Sequence, residues 1–156
     1  MVDDATTQAV CDRLAELGRA RNGGDDTPFC MVAGFILPHC PFVARGSDYD
    51  RFEGRVPPPR RPTPEPGTEP AWVTQWRVEG CAKDAGADAV RRARTAYLAL
   101  VHSLDAKIGR ILGNLRASGL GDNMLIIYAS DHGEHAGERG LWLRAAVQKS
   151  ATVAAE

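Results

Sequence analysis

Apolar positions fall along this chain in three patterns. "FCMVAGFI", Phe29 to Ile36, is a continuous apolar run of strand length, and "MLIIYA", Met124 to Ala129, is a second. Runs of this kind suit strands covered on both faces, as in a parallel sheet. Between them Tyr97, Val101, Leu104, Ile108, Ile111 and Leu115 step by 4, 3, 4, 3 and 4 residues. That spacing predicts a long helix with one apolar stripe, its arginines, Lys107 and Asp105 lying mostly elsewhere around the barrel. Gly119 supplies its stop signal. Near the start, residues 6–20 set Val10, Leu14 and Leu17 at helical spacing, and "NGGDDTP" ends that helix.

From Pro38 to about Lys83 the chain is rich in proline and arginine, including "RVPPPRRPTPEPGTEP". Prolines withhold the N–H groups that a ladder needs, so this stretch reads as a long irregular excursion, either solvated or facing a substrate. Trp72 and Trp76, one helical turn apart, are expected to pin its far end by packing as one face. A strand, a helical crossover and a second strand make a βαβ unit with parallel strands and a right-handed connection. The fold class is therefore α/β. Phe29–Ile36 and Met124–Ala129 are expected as parallel neighbours or near neighbours, with the long helix packed across them.

Parallel strands deliver their carboxyl ends to one sheet edge, where α/β proteins bind ligands. His39 follows the first run, in "LPHCPF"; Asp131 and His132 follow the second. Carboxylate oxygens and an imidazole nitrogen form part of a divalent-ion shell, although two ligands complete neither a Ca²⁺ nor a Zn²⁺ site. The alternative is that Asp131 caps a turn and His132 is an ordinary surface imidazole. His135 stands among glycines that spoil the helix of an H-E-x-x-H zinc site, and it reads as solvated. His102 falls off the helical stripe and reads as solvent-facing. His39 sits between prolines that stiffen its backbone, as a ligand or as a histidine hydrogen-bonded under the loop.

With 156 residues the chain has room for one domain and one moderate core. A net charge of −1 offers no electrostatic reason to expect nucleic acid or an anionic membrane as partner. No apolar run approaches the roughly 20 residues that span a bilayer. The acidic start "MVDDATTQAVCDRL" is unlike a secretory signal, so a cytoplasmic location is expected. Cys11, Cys30, Cys40 and Cys81 have no zinc-like spacing and read as reduced.

Three motifs now stand in order: P-H-x-P-F after the first run, "YLALVHSLDAKIGRIL" on the long helix, and "SDHGEHAGERGLW" after the second run. Together with "PFCMVAGFILPHCPFVARGSDYDRF", they resemble the type I sulfatases of the alkaline phosphatase superfamily, in the iduronate-sulfatase-like and choline-sulfatase-like branch. The resemblance covers roughly residues 8–144 and leaves 145–156 as a divergent tail on a single, incomplete domain. It implies part of an alkaline-phosphatase-like sandwich, with a mostly parallel central sheet flanked by helices. It also implies metal-dependent hydrolysis of a sulfate ester, the substrate being a small molecule or a sugar.

Residue by residue, the resemblance makes Asp131 and His132 the later half of a metal site, most often for Ca²⁺, with Mg²⁺ as the other candidate. His39 matches the histidine beside the leaving group. Arg144 stands where the family typically has a sulfate-binding lysine; its planar fork differs from a point charge but still suits sulfate. The family's nucleophile is a formylglycine made within C-x-P-x-R, and none of the four cysteines has that context. The family's early aspartate pair is likewise unmatched. The chain thus reads as an internal piece of a sulfatase domain, with an N-terminal sulfatase segment as a possible partner and the isolated polypeptide inactive. The rival expectations are a non-catalytic remnant, a module dependent on a partner chain, or a phosphonate or phosphate ester hydrolase of the same superfamily.

Overall fold

A computed structural model describes residues 2–79, 85–142, 144–145 and 151–155, the last two stretches by backbone alone. Cys81 and Lys83 lie outside the described residues. Four helices carry most of the ordered backbone: α1 (Val2–Asn22), α2 (Gly46–Phe52), α3 (Ala71–Glu79) and α4 (Ala87–Ala117). Four short strands accompany them: β1 (Leu125–Ala129), β2 (Gly133–Glu134), β3 (Arg144–Ala145) and β4 (Ala151–Ala155). The chain divides into two compact units. One comprises residues 1–39, 101–128 and 152–156, and the other comprises 40–100 and 129–151.

In the first unit α1 and the C-terminal part of α4 form the core. Leu14, Leu115 and Leu120 are buried, with Val10, Leu17, Ile111, Phe29, Met31, Met124 and Ile126 packed against them. Gly18 is required here, because a Cβ on it would meet the Ser118 carbonyl oxygen at 2.6 Å and its Cβ at 2.8 Å. Asp3 in the first turn of α1 is buried, and its carboxylate accepts the Ile36 and Leu37 N–H groups at 3.0 and 2.9 Å. That pair of bonds ties the segment before His39 to the helix. Lys107, expected on the polar face, is buried instead; its ammonium pairs with Asp4 while its methylenes lie in the packed layer.

The predicted strand at Phe29–Ile36 does not form. The run has the side-chain alternation of a strand: Phe29, Met31 and Phe35 are half-buried, while Cys30, Val32 and Ile36 are exposed. A strand, however, is defined by its ladder, and no strand pairing involves these residues. The expected parallel neighbour pair is therefore not present. β1 forms where it was predicted and pairs with β4, while β2 pairs with β3 in antiparallel fashion. The α/β mixture is observed; a mostly parallel central sheet is not found among the described residues.

In the second unit the proline-rich excursion proves more ordered than expected, holding α2 and α3. Trp76 makes the anchoring contact, and Trp72 is exposed, so the two do not pack as one face. Phe42 meets Tyr97 of α4 edge-on at 5.5 Å between ring centroids and Trp142 at 6.5 Å. The buried line along this part of α4 runs through Thr95, Ala96, Ala99 and Leu100, one position away from the predicted Tyr97–Val101 line. The C-terminal half follows the predicted stripe through Leu104, Ile111 and Leu115. No helix of the described residues is long and apolar enough to cross a membrane.

Candidate functional site

β1 ends at Ala129, and the polar sequence that follows folds back on itself at once. The Asp131 carboxylate accepts the His132 backbone N–H at 2.9 Å, and the Ser130 hydroxyl donates to the His132 carbonyl at 2.6 Å. These local bonds set the His132 ring beside the carboxylate, with Nε2 3.7 Å from Asp131 Oδ2. The other ring nitrogen, Nδ1, lies 2.8 Å from the Gly133 carbonyl oxygen. A carbonyl only accepts, so this contact requires the proton on Nδ1 and leaves a lone pair on Nε2. A metal-binding histidine has this arrangement: one nitrogen tied to a backbone carbonyl, the other free to ligate. The Asp131 side chain is largely exposed, and its oxygens face outward.

Two ligands make half a site at most. Among the described residues no group of three or more His, Cys, Asp or Glu side chains comes together for a metal. The Asp131–His132 pair therefore fits a divalent ion as a partial shell, with hard oxygen and imidazole donors side by side.

Beyond the pair the chain enters a tight loop that sequence reasoning did not foresee. Ala136 and Arg139 have φ of 49° and 56°, left-handed backbone that non-glycine residues rarely adopt. Gly137 and Gly140 share this geometry and also leave no room: a Cβ on Gly137 would meet Pro59, Trp142 and Val90 at 3.2–3.3 Å. Arg94 from α4 holds the loop, donating to the Ala136 carbonyl at 2.6 Å and the Pro57 carbonyl at 3.1 Å. Glu138 accepts the Arg60 and Arg61 N–H groups at 2.9–3.1 Å. Burial raises the pKa of Glu138, but those N–H groups and the Arg94 guanidinium outweigh it and hold the carboxyl below its ordinary value. Arg77 of α3 donates to the Arg139 carbonyl at 2.9 Å and pairs with Glu69 through both of its terminal nitrogens. The prolines of the excursion thus serve as acceptors and packing surface for the loop after the ligand pair. In the sequence, Arg94 and Glu138 were one arginine and one glutamate among many, with no spacing to single them out.

His135 is not solvated as expected. It is half-buried, with its ring edge-on to Trp76 at 5.7 Å, and burial lowers its pKa against an opposing pull from Glu134. His102 is also half-buried rather than fully solvent-facing. His39 is exposed, its N–H bonded to the Ile36 carbonyl at 2.9 Å, between cis peptide bonds at Leu37–Pro38 and Cys40–Pro41. It closes the first unit, whereas Asp131 and His132 belong to the second. The backbone of Arg144 sits opposite Glu134 in the β2–β3 ladder, two residues beyond His132; its side chain lies outside the described structure.

Against known proteins, a family model described as Sulfatase matches residues 3–154. The chain is 33% identical over 149 residues to a choline-sulfatase of Rhizobium meliloti (strain 1021), covering 91% of this chain and 28% of the relative. It is 30% identical over 133 residues to a multifunctional alkaline phosphatase superfamily protein of Trinickia caryophylli, covering 76% of this chain and 26% of that protein. Human iduronate 2-sulfatase is 28% identical over 132 residues, with 76% and 24% covered. The chain spans about a quarter of the length of these relatives.

Proposed function

Because the chain belongs to the sulfatase family, we propose that it contributes a metal-ligand pair, Asp131 and His132, to a sulfuric ester hydrolase centre that it does not complete alone. The observation that carries this reading is the His132 ring, tied through Nδ1 to Gly133 and lying beside the Asp131 carboxylate. A divalent ion, Ca²⁺ before Mg²⁺, is the cofactor; when bound, it supplies positive charge that neutralises sulfuryl oxygens.

The chain's own residues have distinct tasks. Asp131 and His132 hold two positions of the ion's shell. Arg144 contributes a cation that suits a tetrahedral oxyanion. His39 donates a hydrogen bond or proton toward the departing alkoxide. Formylglycine, the covalent nucleophile of the family, has no precursor in this polypeptide, since no cysteine stands in C-x-P-x-R. The substrate is a sulfate ester. A phosphate or phosphonate ester is the second reading, favoured by the likeness to the Trinickia caryophylli protein, whose name places it in the alkaline phosphatase superfamily.

Incubating the purified chain with an aryl sulfate, Ca²⁺ or Mg²⁺ and a formylglycine-generating enzyme tests the division of labour. The expected result is no sulfate release above a His39→Ala control. Release that depends on His39 would overturn it and show that a residue of this chain serves as the nucleophile.

A further inference from the structure

The first unit presents an apolar face that its own helices do not cover. Phe29, Met31, Met124 and Ile126 turn inward and pack on the same buried leucines, Leu14, Leu115 and Leu120. Their neighbours along the chain turn the other way. Val32 is 90% exposed, Ile36 59%, Leu125 60% and Ile127 61%. Two extended segments on one core thus show alternating side chains, half on the helices and half in water. Scattered exposed apolar residues are ordinary, but a period-2 set on two segments sharing a core marks a surface made to be covered.

The backbone carries the same message. No backbone hydrogen bond joins Phe29–Phe35 to another described residue, and β1 has β4 as its one strand partner there. Unpaired N–H and C=O groups beside alternating apolar side chains are what an added β-strand satisfies. A lipid or small apolar ligand would bury the side chains and strand the peptide groups without partners. The occupant is therefore polypeptide in extended form. Its identity follows from extent: the family match spans residues 3–154, both segments included, yet 91% of this chain corresponds to 28% of the choline-sulfatase. We propose that Val32, Ile36, Leu125 and Ile127, with the open backbone of Phe29–Phe35, form the docking surface for a polypeptide carrying the remainder of a sulfatase-family domain. This inference rests on the hydrolase reading above and names the partner that completes it.

The probe is the Rhizobium meliloti choline-sulfatase with its aligned segment excised, produced as a separate polypeptide and mixed with the full 156-residue chain. Sedimentation velocity should show a 1:1 complex, and hydrogen exchange should show protection of the Phe29–Phe35 amides. Val32→Lys and Ile127→Lys should each weaken the complex by about tenfold or more. Both positions are exposed, so circular dichroism of the free variants should match the parent. Val78→Lys, on α3 at a residue 57% exposed, should bind like the parent. Three results would overturn the proposal: no complex, a complex indifferent to both variants, or a self-associating chain whose dimer Val32→Lys abolishes. Binding and turnover separate the two ideas. A complex that releases no sulfate leaves the surface standing and counts against the hydrolase reading. Turnover in a complex indifferent to both variants does the reverse.

Discussion

His135 and Trp76 show how a residue's surroundings set its chemistry. The imidazole is half-buried against the indole edge, and loss of hydration disfavours its charged form more than Glu134 favours it. Its folded-state pKa is therefore below the ordinary 6.5. The sign follows: the neutral ring suits the folded state, so its contribution to stability is present above 6.5 and is lost as pH falls through the lowered value. An NMR titration should place the His135 midpoint below that of His39, and Trp76→Ala should move it upward. A midpoint at or above the ordinary value in the parent would contradict the packing. At this scale the sequence was legible where chemistry depends on adjacent residues. Asp131, His132 and Gly133 are consecutive, so their bonds follow from local geometry. The Trp76–His135 contact joins positions 59 residues apart in sequence, and no local pattern announces it.

At the scale of elements, periodicity read the helices well. α4 extends beyond its predicted stripe at both ends, and α1 begins at Val2, where Asp3 and Asp4 favour a first turn. The stripe drifts by one position in the N-terminal half of α4 because Ala96, Ala99 and Leu100 meet a different set of neighbours from Leu104 and Leu115. Strands were less legible for a physical reason. Phe29–Ile36 has the composition and alternation of a strand, but pairing depends on a second backbone that a single segment cannot specify. The two helices inside the proline-rich stretch escaped notice because prolines bracket them rather than interrupt them. The α1–α4 core yields a direct test. Leu115 is buried between the helices, and Leu115→Ala should destabilise the chain by about 2–5 kcal/mol in denaturant unfolding. A loss under about 1 kcal/mol would mean the helices do not share that core.

For the whole molecule, the two units carry different parts of the chemistry. The second holds Asp131, His132 and the Arg94–Glu138 clamp on the loop behind them; the first holds His39 and the uncovered apolar face. Family membership was readable from three motifs in order, since motif order survives sequence divergence. The central sheet of the family was expected from the same resemblance, yet the ladders observed here involve only short strands. A domain that spans about a quarter of its relatives' length has fewer strands to pair and fewer ligands to converge. The central claim is that Asp131 and His132 form a metal-ligand pair with His132 Nε2 free to bind. Titrating the full chain with Ca²⁺ while following the imidazole nitrogens of His132 by NMR tests it directly. The account predicts weak, about millimolar, binding. It should shift Nε2, leave Nδ1 protonated on the Gly133 carbonyl, and disappear in Asp131→Asn. An unresponsive His132, or a response unchanged by Asp131→Asn, would contradict it.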